Sequence, residues 1–84
     1  MKDEKIINNI LLRYSDENFI IFDGFDDAVL GFCEKNMVLI YSYSKCIEIL
    51  SEKMSHSDAV DYFLYNVCNL YLGDKIPIIC YDDF

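Results

Sequence analysis

The sequence predicts an α+β fold, an antiparallel sheet of three to four strands packed against helices in the order α-β-β-β-α-α-β. Three observations carry that prediction. Ser57 to Leu72 repeats its apolar residues at helical spacing and stops at Gly73, with Pro77 beyond. Phe19 to Tyr41 holds three short β-prone runs separated by turn residues. The turns between those runs are short enough for hairpins, which join strands antiparallel, and helices must then cover the apolar face of the sheet.

Lys2 to Tyr14 reads as the first helix. Ile6, Ile7, Ile10, Leu11 and Tyr14 share one side of the wheel, and Asp3 stands where it can cap the start. Ser15-Asp16-Glu17-Asn18 breaks the pattern. Phe19-Ile20-Ile21-Phe22 is the first strand, closed by the turn pair Asp23-Gly24. Ala28 to Glu34 and Met37 to Tyr41 form a hairpin across Lys35-Asn36, where Asn tolerates the positive φ of a tight turn. Gly31 marks a bulge or a close backbone approach in the first arm. The unbroken apolarity of the second arm marks an inner strand covered on both faces.

Ser44 caps a helix running through Met54, with Cys46, Ile47, Leu50 and Met54 inward and Glu48, Ser51 and Glu52 outward. Ser55-x-x-Asp58 is a capping box for the next helix. Ala59, Val60, Phe63, Leu64, Val67, Cys68 and Tyr71 form its buried arc; Asp58, Asp61, Tyr62, Tyr65, Asn66 and Asn69 form the opposite stripe. Pro77 then opens a last run, Ile78 to Tyr81, which reads as an edge strand. Asp82-Asp83-Phe84 reads as a loose charged tail.

The 84 residues suffice for one domain, yet 54% are hydrophobic, including seven Tyr and six Phe. That is more apolar material than so small a core usually holds. The surplus either lies on a surface that meets a partner or a second copy, or is amphipathic tyrosine lining the rim of the core. Fifteen acids against seven bases give a net charge of −8. Direct nucleic-acid binding and anionic membrane surfaces are disfavoured, because both require Lys and Arg to displace counterions. Acidity suits solubility, and also docking on a basic surface of a protein or nucleoprotein complex.

Met1-Lys2-Asp3-Glu4-Lys5 has no apolar leader, and no run approaches a membrane span. Cys33, Cys46, Cys68 and Cys80 form no C-x-x-C pair and sit in apolar segments, which predicts reduced thiols in a cytosolic protein without a disulfide framework. The single histidine, His56, lies in a capping turn far from any close cysteine pair, so no zinc site is expected. Asp23, Asp26 and Asp27 lack the register of an EF-hand loop. Gly24, Gly31 and Gly73 are too dispersed for a phosphate loop. Neither catalytic residues nor a cofactor is expected, and the chain reads as a non-enzyme. The Tyr62, Tyr65, Asn66, Asn69 stripe combines stiff aromatic area with hydrogen-bonding groups, the mix that suits a protein interface, and Asp23, Asp26 and Asp27 join it as candidate partner-binding residues. The same stripe is also what the wet side of an ordinary amphipathic helix looks like.

Phe25-Asp26-Asp27-Ala28-Val29-Leu30-Gly31, Tyr41 to Leu50, Met54-Ser55, Asp58 to Phe63, Asn66-Val67, and Tyr71 to Asp74 with Pro77 together resemble a family of small uncharacterised proteins from tailed bacteriophages. The resemblance spans residues 25–77 and leaves the first helix outside. Asn69 and Leu70 depart from the small residue expected after Asn66-Val67. It implies a phage product working in the bacterial cytoplasm, and by class analogy an inhibitor of host defence such as an anti-CRISPR or anti-restriction protein. Such an inhibitor acts either by mimicry, with Asp16, Glu17, Asp23, Asp26, Asp27, Asp82 and Asp83 standing in for phosphates, or by occlusion, with the tyrosine-bearing helix anchored in a pocket. The alternative is a self-associating structural or assembly factor whose surplus apolar surface closes a homodimer.

Overall fold

A computed structural model describes residues 5–68 and 76–84 of the chain. Among them are three α-helices and a three-stranded sheet: α1 (Ile6–Arg13), β1 (Val29–Cys33), β2 (Val38–Ser42), α2 (Tyr43–Leu50), α3 (His56–Phe63) and β3 (Ile78–Cys80). The fold is α+β. A 3₁₀ turn, Asp26–Ala28, leads into β1, and a π-helical turn, Leu64–Cys68, prolongs α3. Among the described residues no helix is long and apolar enough to cross a membrane.

The sheet has the order β1-β2-β3, with β2 central. β1 and β2 form the expected antiparallel hairpin, pairing Val29 with Tyr41, Phe32 with Leu39 and Cys33 with Val38. The ladder shifts register between Val29 and Gly31, so the bulge falls where the sequence placed it. The left-handed turn residue is not Asn36, however. It is Met37, at φ 53°.

Two strand expectations are corrected. β3 pairs parallel to β2, Ile40 with Ile78 and Ser42 with Cys80, so the sheet is mixed rather than antiparallel. The connection from β2 to β3 carries α2 and α3, long enough for the crossover that parallel pairing requires and a tight hairpin could not supply. Phe19 to Phe22 joins no ladder. Its Phe22 N–H instead donates to the Tyr41 hydroxyl at 2.9 Å, and the Phe22 and Tyr41 rings lie 4.9 Å apart. The segment packs by its rings, and a side chain rather than a neighbouring strand meets the Phe22 donor.

One buried cluster ties the elements together: Ile7 and Ile10 of α1, Val29, Leu39 and Tyr41 of the sheet, Cys46 and Ile47 of α2, and Ala59, Phe63 and Val67 from α3 and its π turn. Leu39 and Tyr41 alternate with Val38, Ile40 and Ser42, as the period of a strand requires. Val38 and Ser42 are buried too, consistent with an inner strand whose two faces are both shielded.

Three helix boundaries also differ from expectation. α1 begins at Ile6 with Lys5 in the N-cap, and Asp3 lies outside the described residues. α2 begins two residues early. Ser42, not Ser44, is its N-cap, accepting from the Lys45 N–H at 3.2 Å. It ends at Leu50 rather than Met54, because the chain tightens through Glu52 N–H to Ile49 O and Lys53 N–H to Leu50 O before Ser55 takes the extended backbone of the next cap. That cap is the expected one: Ser55 Oγ accepts from the Asp58 N–H at 3.1 Å. The remainder of the expected long helix, from Asn69 to Leu72 with Gly73, lies outside the described residues.

Candidate functional site

The α3 stripe lies outward. Asp58, Asp61, Tyr62, Tyr65 and Asn66 are all exposed, Tyr62 at 45% and Tyr65 at 75% of their full surface. Asn69 is outside the described residues. One side chain bonds back onto the π turn: Asn66 Nδ2 donates to the Tyr62 carbonyl at 3.0 Å, the acceptor that an α-helix gives to the Asn66 N–H. The bond lies at the point where the helix widens from α3 into the π turn. Leu64 lies outward at 43% exposure, correcting its place in the buried arc, while Val67 stays inside.

Tyr62 meets the Asp23-Gly24 turn. Gly24 takes φ 90°, a conformation that glycine adopts without strain, and this holds Asp23 beside α3. Two shallow clefts flank the tyrosine. The first, about 280 Å³, has apolar walls from Ile21, Phe22, Phe25 and Val67, with Asp23, Tyr62 and Asn66 around it. The second, about 190 Å³, lies on the α2 side and includes Lys53 with Ile49 and Leu50. Both volumes fall below the ~300–1,000 Å³ of typical small-molecule pockets and suit a side chain better than a whole ligand.

The three acids of the Asp23 segment are dispersed. Asp23 joins Tyr62 and Asn66, whereas Asp27 pairs with Lys5 Nζ at 3.3 Å near the start of α1, and Asp26 is half-buried in the 3₁₀ turn. Tyr65 lines neither cleft. The contributions of Ile21, Phe25 and Lys53 were not visible in the α3 stripe, because they arrive from a loop and from the end of α2.

The tail is not loose at Asp82. Ser42 Oγ donates to Asp82 Oδ2 at 2.6 Å, and the Ser44 N–H donates to Oδ1 at 2.9 Å. Ser42 and Asp82 thus satisfy the Lys45 and Ser44 N–H groups in the first turn of α2. These bonds, that from Ser42 foremost, lower the Asp82 carboxyl from 3.8 to about 2. Tyr81 continues the attachment, its ring 4.9 Å from that of Tyr43.

Cys46 is buried as expected, but Cys33 is only half-buried and Cys80 is exposed on the edge strand. Among the described residues no three of His, Cys, Asp and Glu converge as metal ligands would. Comparison of the chain with family models, curated proteins and solved structures finds no match.

Proposed function

We propose that this chain is a non-enzymatic phage-type protein that binds and inhibits a host macromolecule in the bacterial cytoplasm, as an anti-CRISPR or other anti-defence inhibitor does. The observation that carries the contact reading is the outward face of α3, where two exposed tyrosines stand among Asp58 and Asp61. Rigid aromatic area rimmed by carboxylates suits a basic protein surface. A π turn under this face adds support, since such turns recur at functional sites. The phage setting and the inhibitory role rest on the resemblance and on the charge of −8.

Occlusion is favoured over phosphate mimicry. Asp82 is committed to capping α2 and Asp27 to Lys5, which leaves fewer of the acids available to imitate a nucleic-acid backbone. The test is capture of host proteins on immobilised protein at low and high salt. A specific partner retained at high salt and lost on Tyr65→Ala is the expected outcome. A partner retained only at low salt and indifferent to Tyr65 would transfer the role to the carboxylates, and recovery of no specific partner would count against inhibition by contact.

A second reading, a self-associating assembly factor, draws on exposed Leu12, Ile6, Ile21 and Leu30. Sedimentation across micromolar concentrations separates the two, because a strict monomer eliminates the homodimer.

A further inference from the structure

The larger cleft beside Tyr62 has an unbalanced set of polar groups. Asp23 is exposed, and an ionised carboxylate only accepts hydrogen bonds. One N–H of the Asn66 amide goes to the Tyr62 carbonyl, which leaves Oδ1 as an acceptor beside the second N–H. Tyr62 contributes a ring as well as a hydroxyl, and among the described residues no Lys or Arg lines this cleft. The floor is apolar, from Ile21, Phe25 and Val67. A suitable occupant therefore carries several donors and positive charge on a flat head, with an aliphatic stem behind it.

We propose that this cleft is a socket for a single arginine side chain projected by the partner. The guanidinium stacks on the Tyr62 ring, gives N–H groups to the Asp23 carboxylate and to Asn66 Oδ1, and lays its methylenes on the apolar floor. Arginine fits better than lysine because its planar fork both stacks and pairs with a carboxylate, while an ammonium does only the second and holds its water more tightly. Lys53, across Tyr62 in the neighbouring cleft, is the nearby like charge that opposes entry. This inference rests on the contact reading above and names the chemistry of its anchor.

The test is titration of isotope-labelled protein, followed by amide NMR, with three capped peptides Gly-Ser-X-Ser-Gly in which X is arginine, lysine or citrulline. The arginine peptide is expected to move the signals of Asp23, Tyr62 and Asn66 at millimolar concentration, the lysine peptide to do so more weakly, and the neutral citrulline peptide not at all. Asp23→Asn is expected to weaken the arginine peptide about tenfold, as loss of one charge-assisted pair does. Tyr62→Leu, which keeps an apolar wall, is expected to erase the preference for arginine over lysine, and Lys53→Ala to tighten binding. Equal shifts from arginine and citrulline, or an affinity unmoved by Asp23→Asn in a variant with a native spectrum, would overturn the socket. If partner capture depends on Tyr62 while the arginine peptide leaves these signals in place, the contact face stands and the arginine assignment fails.

Discussion

Tyr41 is wholly buried, yet its hydroxyl has a defined role. It accepts from the Phe22 N–H, a donor that no strand partner reaches. Tyr41→Phe leaves that donor unmet, and a loss of about 1–3 kcal/mol in denaturant unfolding is expected. Burial raises the Tyr41 pKa above its ordinary value of 10.0. Because the folded value exceeds the unfolded one, the stability tied to the neutral phenol is complete below pH 10 and is lost as pH rises above it. Alkaline unfolding curves of the wild type should therefore fall more steeply above pH 10 than those of Tyr41→Phe. Met37 is a different case. Its φ of 53° strains an L side chain, and Met37→Gly is expected to raise the unfolding free energy by about 1 kcal/mol, the usual scale of that strain. The sequence offered Asn36 as the turn residue because Asn is the better left-handed former. Register decided otherwise, since pairing of Cys33 with Val38 puts the end of the loop at Met37.

At the scale of elements, α2 depends on a residue from the far end of the chain. Asp82 holds the Ser44 N–H while Ser42 holds that of Lys45. With its carboxyl lowered to about 2, Asp82 stabilises the fold above its unfolded value near 3.8 and ceases to do so as pH falls toward 2. Asp82→Asn is expected to be less stable than wild type at pH 7, and the two unfolding midpoints should converge between pH 4 and pH 2. A constant gap across that window would show that the charge is immaterial. The Ser55 cap is local by comparison, and Ser55→Ala should cost about 1 kcal/mol by the same measurement. These two caps mark what the sequence could disclose. The Ser55-x-x-Asp58 spacing encodes its own hydrogen bond, as do the periodicity of α3, the bulge at Gly31 and the apolar run of β2. The Asp82 cap, the parallel pairing of β3 and the departure of Phe19 to Phe22 from the sheet depend on what folding brings alongside, which no local pattern contains. The same division holds at the candidate site. The outward stripe on α3 was legible, whereas its meeting with Asp23, Phe25 and Lys53 was not.

For the whole molecule, the useful separation is between residues that build the fold and those that face outward. Tyr62 and Tyr65 are exposed and lie outside the buried cluster, so Tyr62→Ala and Tyr65→Ala should change the unfolding free energy by no more than about 0.5 kcal/mol. Phe63, between them in sequence, is fully buried and packs edge-on to both Phe25 and Tyr43. Phe63→Ala is expected to cost about 3–5 kcal/mol and to unfold a domain of this size to a large extent. If the tyrosine variants keep native thermal transitions but lose partner capture, the outward face acts in recognition. If they melt early, its rings serve packing instead.

The return of β3 to β2 has a kinetic consequence. The hairpin of β1 and β2 can close over a few residues in microseconds, but the contact between Ser42 and Asp82 spans forty positions. The central strand therefore gains its second neighbour only after about forty further residues have been synthesised. Until then, one side of that strand is open to whatever extended peptide is near. Rapid docking of residues 76–84 is what shortens the interval.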